Sequence, residues 1–185
     1  PFGAGIILGA IVSSKLVTRF APREVAAPAA LIGGAALFWL ATIGQELDYI
    51  WHFMPAAFLS AFGFVGAVIA LALTAVKGVQ AQETGIASAL FNASQQIGVA
   101  LGLAVLSTIA VSATAGRLPD ALGALYRGRV AGDSDVVRSA SDALIHGYGL
   151  ALMGAGAALV IAAVIAAVLV NARRGQVSPG TIAAH

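Results

Sequence analysis

The chain has no cysteine, and among its 185 residues only ten are Lys or Arg and eight Asp or Glu. The missing cysteine excludes a disulfide framework, a thiolate metal site and a cysteine nucleophile. The missing charge excludes more. Charged residues make up 10% of the chain, against about 25% in an ordinary soluble domain. A water-soluble protein of this size must cover its surface with polar groups, and this one has too few. That argues against a soluble enzyme or a nucleic-acid binder. The formal charge is only +2 and the basic residues are scattered, so nothing tracks a phosphate backbone and no nucleic-acid partner is expected. His52, His146 and His185 stand apart from one another, and there is no GxSxG, HExxH or paired-carboxylate arrangement within an apolar stretch. No catalytic residue, metal site or cofactor is therefore expected.

What the chain does have is apolar length. Hydrophobic residues make up 59% of it, and the mean hydropathy is +0.94. Residues 25–45, 49–76, 84–116 and 143–172 contain no Asp, Glu, Lys or Arg, and each gap reaches the ~20 residues a helix needs to cross a bilayer. Residues 1–14 form a fifth, shorter gap. The expected architecture is an all-α membrane bundle with spans near 2–17, 25–44, 56–76, 84–111 and 143–170, an external loop 112–142 and a cytoplasmic tail 173–185. Helix is expected over strand because backbone polar groups in lipid must be satisfied within the segment, and the strict alternation of a barrel strand is absent. The chain opens on Pro1 with no basic run before the first apolar stretch, so that stretch does not read as a signal peptide. It reads as the start of a C-terminal piece of a longer protein, whose earlier spans would be partners of these five. No fixed-period repeat is visible.

Lys and Arg set the expected orientation. Lys15, Arg19, Arg23, Lys77, Arg173 and Arg174 would share one side. The other would carry Arg117, Arg127, Arg129 and Arg138, offset by Asp120, Asp133, Asp135 and Asp142, together with Glu46 and Asp48. This bias favours a cytoplasmic C-terminus in a multi-pass plasma-membrane protein. Trp39, Tyr49 and Trp51 would mark the external interface. Within 112–142, Leu118, Leu122 and Leu125 recur at helical spacing after Pro119, and Asp133 or Ser134 would cap a second short helix carrying Val136, Val137 and Ala140. The segment reads either as a cap over an external mouth or as an amphipathic stretch lying on the membrane surface.

The fourth span carries the polar signal. Asn92, Gln95 and Gln96 lie 8 to 12 residues from its start, roughly 12 to 18 Å deep at ~1.5 Å per residue. That is close to the bilayer midplane. Ser88, Asn92 and Gln96 share a face, with Gln95 at its margin. An amide without a partner in hydrocarbon costs several kcal/mol (~2–7), so these side chains must meet protein or a water-filled cavity. They would line or gate a transport pathway, or else bond a neighbouring helix. Ser94, Gly98 and Gly102, and likewise Gly5, Gly9 and Ser13 in the first span, form small-residue stripes suited to close helix packing. Phe58 and Phe62 in the third span would present an aromatic wall to a greasy or cationic substrate, or fill the core or face lipid. No carboxylate lies in mid-span, so a proton-coupling group, if the protein uses one, is expected elsewhere.

The stretch TGIASALFNASQQIGVALGLAVLSTIA, residues 84–110, resembles the penultimate span of fourteen-span drug/proton antiporters of the major facilitator superfamily. The resemblance rests on Gly85, Ser88, Asn92, Gln95, Gln96, Gly98 and Gly102. The loop before the last span is similar in length, and SKLVTRFAPRE, residues 14–24, resembles a worn copy of the superfamily's cytoplasmic loop signature. Arg19 and Arg23 fit it, whereas Ser14, Thr18, Ala21 and Pro22 depart from it. The resemblance implies the last five helices of a proton-coupled exporter of hydrophobic or amphipathic compounds, with small-molecule substrate and protons as its traffic. It further implies that the third span lines the cavity and that the first and fourth belong to its gates. Export of a lipid, metabolite or amino acid on the same fold, and a non-transporting membrane scaffold, are the alternatives.

Overall fold

A computed structural model describes residues 2–42, 49–75 and 83–169. The described residues form six α-helices and no strand: α1 (Phe2–Val17), α2 (Pro22–Ala41), α3 (Met54–Ala75, preceded by a π-helical turn Tyr49–Phe53), α4 (Thr84–Arg117), α5 (Ala121–Ala131) and α6 (Ser134–Leu169). The segment from Trp51 together with α2, α4 and α6 makes four helical runs long and apolar enough to cross a membrane, and α1 is shorter, at 16 residues. The expected tail 173–185, Lys77, Glu46 and Asp48 lie outside the described residues.

Burial runs opposite to that of a soluble bundle. The buried side chains are nearly all Ala, with Gly and Ser beside them, whereas Ile7, Ile11, Leu31, Ile32 and Phe64 are exposed. Lipid tails are as apolar as Leu, so burying large side chains between helices brings no hydrophobic gain there. Small residues that let backbones approach supply van der Waals contact instead. The closest approach is between α2 and α3, where a Cβ placed on Gly63 would collide with the backbone of Gly33 and lie 2.5 Å from the Ala29 carbonyl. Around this crossing Ala29, Ala30 and Ala67 pack with Ala163 of α6, and a second cluster of Val25, Ala26, Ala70 and Ala166 lies nearer the start of α2. Gly34 and Gly156 face each other across the α2–α6 contact. α1 lies on α3 through the predicted stripe Gly5, Gly9 and Ser13, all three buried.

Several helix bounds differ from the charge-free windows, because charge marks where a helix leaves the membrane and not where it ends. α2 starts at Pro22, three residues before the expected 25. Proline at the first position needs no amide partner, and the Glu24 carboxylate accepts a hydrogen bond from the Ala21 amide at 3.1 Å. α4 runs on to Arg117, past the expected 111. The largest difference is in 112–142, which is not a long loop. Its first residues finish α4, Ala121–Ala131 form α5, and the expected second short helix is the first turns of α6. The helix start read at Pro119 falls instead at Ala121, after Asp120 turns the chain with a left-handed φ of 56° and pairs with Arg127 at 3.0 Å. Gly132, with φ 71°, ends α5, and Asp133 caps α6 by accepting hydrogen bonds from the amides of Asp135 (3.1 Å) and Val136 (3.2 Å). α5 folds back on α6, with Gly128 buried against Val136 and Val137.

The Asp133→Ala change is expected to cost about 1 kcal/mol of local stability. The amides of Asp135 and Val136 should exchange about fivefold faster with solvent deuterium. An unchanged exchange rate in that turn would show that the cap contributes nothing.

At ~1.5 Å per residue, α4 and α6 are about 51 and 54 Å long, more than the ~40–45 Å of a whole bilayer. They are antiparallel neighbours, joined where Gly147 meets Ala110 and Thr114 and where Gly154 meets Leu106 and Ile109. α5 docks at the Ser134 end of α6, beside the Arg117 end of α4.

Candidate substrate pathway

The amide-bearing face stands on a helix that this chain only half covers. α4 has no buried residue, and the close glycine contacts that join it to α6 fall between Leu106 and Thr114. Toward Thr84 the amide-bearing surface is open: Asn92, Gln95 and Gln96 are exposed, Ser88 is half-buried, and a Cβ on Gly85, Gly98 or Gly102 would meet nothing within 4 Å. Ser94 is exposed as well. The two small-residue stripes therefore differ. Gly5, Gly9 and Ser13 are seated on α3, whereas Ser94, Gly98 and Gly102 have no helix of the described residues against them.

Leu106, opposite Gly154, is 10 residues from Gln96 and 14 from Asn92, about 15 to 21 Å along the axis. The amides therefore stand well short of the α4–α6 contact, toward the Thr84 end of the helix.

On α3, Phe58 and Phe62 are half-buried, and their rings stack with centroids 6.2 Å apart and planes 19° from parallel. Their backbones form the bed for α1: a Cβ on Gly5 would lie 2.5 Å from the Phe58 carbonyl, and one on Gly9 2.6 Å from that of Phe62. The structure brings Phe58 and Phe62 together with Gly5 and Gly9. It does not bring the amides of α4 to the phenyl pair. Arg19 is exposed in the turn after α1, where its amide donates to the Leu16 carbonyl at 2.9 Å, and Arg23 is half-buried in the first turn of α2.

Three cavities lie elsewhere. An apolar one of about 250 Å³ sits among α1, α2 and α3 beside Phe64 and Ser60. A second, of about 350 Å³, lies beneath α5 between α4 and α6, with Thr114 and Tyr148 in its wall. The third, of about 370 Å³, gathers Arg117, Asp142 and His146 at the ends of α4 and α6. Sequence spacing does not join Arg117 to Asp142, which are 25 positions apart. Only the antiparallel α4–α6 contact does.

An all-α bundle with a small-residue core, a lipid-type exterior and a bare polar helix face has the form of a piece of a multi-pass membrane protein. Comparison with known proteins finds similarity to membrane exporters and resistance proteins. The chain is 33% identical over 177 residues to the puromycin resistance protein pur8 of Streptomyces alboniger, covering 94% of this chain and 33% of that protein. It is 30% identical over 167 residues to the MFS-type transporter EfpA of Mycobacterium tuberculosis, covering 87% and 29%. It is 32% identical over 111 residues to the cephamycin export protein CmcT of Amycolatopsis lactamdurans, covering 60% and 23%. The first of these relatives is named as a resistance protein, the second as an MFS-type transporter and the third as an export protein, and the chain is similar to all three. It spans a third or less of their length. No family model matches the chain, and no solved structure does.

Proposed function

We propose that this chain is the C-terminal part of a fourteen-span exporter that moves hydrophobic or amphipathic compounds such as antibiotics out of the cell, in exchange for protons, by alternating access. One observation carries the reading: the inner half of α4 presents Asn92, Gln95 and Gln96 on a surface that no helix among the described residues covers. Amides left against lipid tails would each cost several kcal/mol (~2–7). The bare face therefore needs either a partner bundle or a polar cavity, and alternating access between two helix bundles supplies both. The names of an export protein, an MFS-type transporter and an antibiotic resistance protein among the relatives, and their greater length, support the same reading. In this arrangement the stripe Ser94, Gly98 and Gly102 seats a helix of the other bundle, Phe58 and Phe62 face the substrate side of α3, and Arg19 and Arg23 mark the cytoplasmic side. The C-terminus is cytoplasmic.

The test uses the full-length protein in an efflux-deficient bacterial host and in everted membrane vesicles. Expression should lower the accumulation of several amphipathic antibiotics, and adding such a compound to acid-loaded vesicles should dissipate the pH gradient. Export without gradient loss would remove the proton exchange. Activity only on lipids, amino acids or polar metabolites would change the cargo, and no flux of any kind would leave a scaffold.

A further inference from the structure

Three helices frame the half-open cavity beneath α5. Ser107 and Thr114 stand two turns apart on one face of α4, about 10 Å along the axis, with Val111 between them. Leu144 and Tyr148, one turn apart on α6, form the facing wall. The antiparallel contact fixes their level. A Cβ on Gly147 would collide with the Thr114 hydroxyl, so Tyr148, the next residue, stands beside residues 110–114. Asp120 and Leu122 close one end. At about 350 Å³ the cavity has the size of a small-molecule site, and most of its wall is apolar.

Three groups in that wall have hydrogen-bonding capacity to spare. The hydroxyls of Ser107, Thr114 and Tyr148 make no hydrogen bond to any of the described residues. Thr108, beside Ser107, by contrast turns back onto the Ala104 carbonyl at 2.8 Å. The charged group in the wall is already matched, since Asp120 pairs with Arg127 at 3.0 Å.

We infer that this cavity binds an uncharged, elongated two-ring compound with a hydrogen-bonding oxygen at each end. One oxygen meets Ser107, the other meets Thr114 and Tyr148, and the rings lie along Val111 against Leu144. The pattern of charge and hydroxyls selects this class. An anion would face Asp120 with no cation in the wall, and a cation would have to compete with Arg127 for Asp120. A pure hydrocarbon would cover the three hydroxyls and leave them unbonded, which costs free energy. The cavity is separate from the amide face: Ser107 lies 11 residues beyond Gln96, about 16 Å along α4. The site rests on the packing of α4, α5 and α6 and not on the export reading.

The experiment is photolabelling of the purified full-length protein with 4,4′-bis(hydroxymethyl)benzophenone, followed by peptide mass spectrometry. Unsubstituted benzophenone, its 4,4′-dicarboxylate and its 4,4′-bis(aminomethyl) derivative serve as matched probes. The expected result is that the diol labels the segments 107–122 and 144–148 in preference to the rest of the chain, and does so more than the other three probes. Ser107→Ala, Thr114→Val and Tyr148→Phe should each reduce that labelling about two- to tenfold, the range for one neutral hydrogen bond. Val111→Trp should fill the cavity and abolish it. Val111 is exposed, so the α4–α6 contact through Ala110 and Thr114 survives the change, which an unaltered elution profile on gel filtration would verify. Ser112→Ala, one position along α4 and outside the cavity, should change nothing. Absence of labelling in these two segments would overturn the proposal. So would equal labelling by all four probes, a preference for a charged probe, or labelling that survives Val111→Trp. The readout involves no transport, so a failed export assay and a failed labelling experiment are separate results.

Discussion

Gly63→Ala in the full-length protein is expected to lose about 3 kcal/mol or more of stability, although it adds one methyl group. The new Cβ would fall on the Gly33 backbone and 2.5 Å from the Ala29 carbonyl. Neither is the tip of a flexible side chain, so relief requires α2 and α3 to move apart. That separation would also pull Ala29 and Ala30 from Ala67 and Ala163, where α6 joins the same cluster. The expected readouts are a sharply reduced yield of monodisperse protein in mild detergent and a lowered melting temperature. Gly116→Ala is the matched control, since a Cβ there meets nothing within 4 Å. If the two variants melt alike, the close α2–α3 approach is not what holds these helices together.

The second large effect concerns transport. Gln96→Leu, or Asn92→Leu, is expected to cut antibiotic export about tenfold, equivalent to 1.4 kcal/mol, while the amount of folded protein in the membrane stays within about twofold of normal. Leucine is close in size to both amides and is at home in lipid, so it removes the polar contact and leaves the helix intact. If the amides only bond a helix of the other bundle, the change costs about 0.6 to 2 kcal/mol of stability, and folded protein and export should fall together. Proportional losses would assign Asn92 and Gln96 to packing, whereas loss of export at constant folded protein would assign them to the pathway or its gate. Ser88→Ala, about one helical turn nearer Thr84 than Asn92 on the same face, should give a smaller effect because a hydroxyl offers a single donor.

The lipid-soluble, all-α character of this protein was legible before any coordinates, because a bilayer imposes a one-dimensional constraint. A helix must keep charge out of about 20 consecutive residues, and such gaps can be counted along a chain. The small-residue stripe Gly5, Gly9 and Ser13 was legible for a similar reason: its spacing already says that a backbone can approach. Its partner was not. Nothing in Ser94, Gly98 and Gly102 distinguishes a stripe that α3 covers from one left bare, since both obey the same i, i+4 rule. Helix ends were misplaced wherever helix outruns membrane, as at Arg117 and Ser134, because charge reports exposure to water and the hydrogen-bonded backbone continues regardless. Only the tertiary structure decided that α4 meets α6 closely from Leu106 onward. That contact in turn left Asn92 and Gln96 uncovered toward Thr84 and brought Arg117 into one cavity wall with Asp142 and His146. These are distances between helices, set by which glycines meet across an interface, and such a meeting has no counterpart in the order of residues along a single strand of sequence.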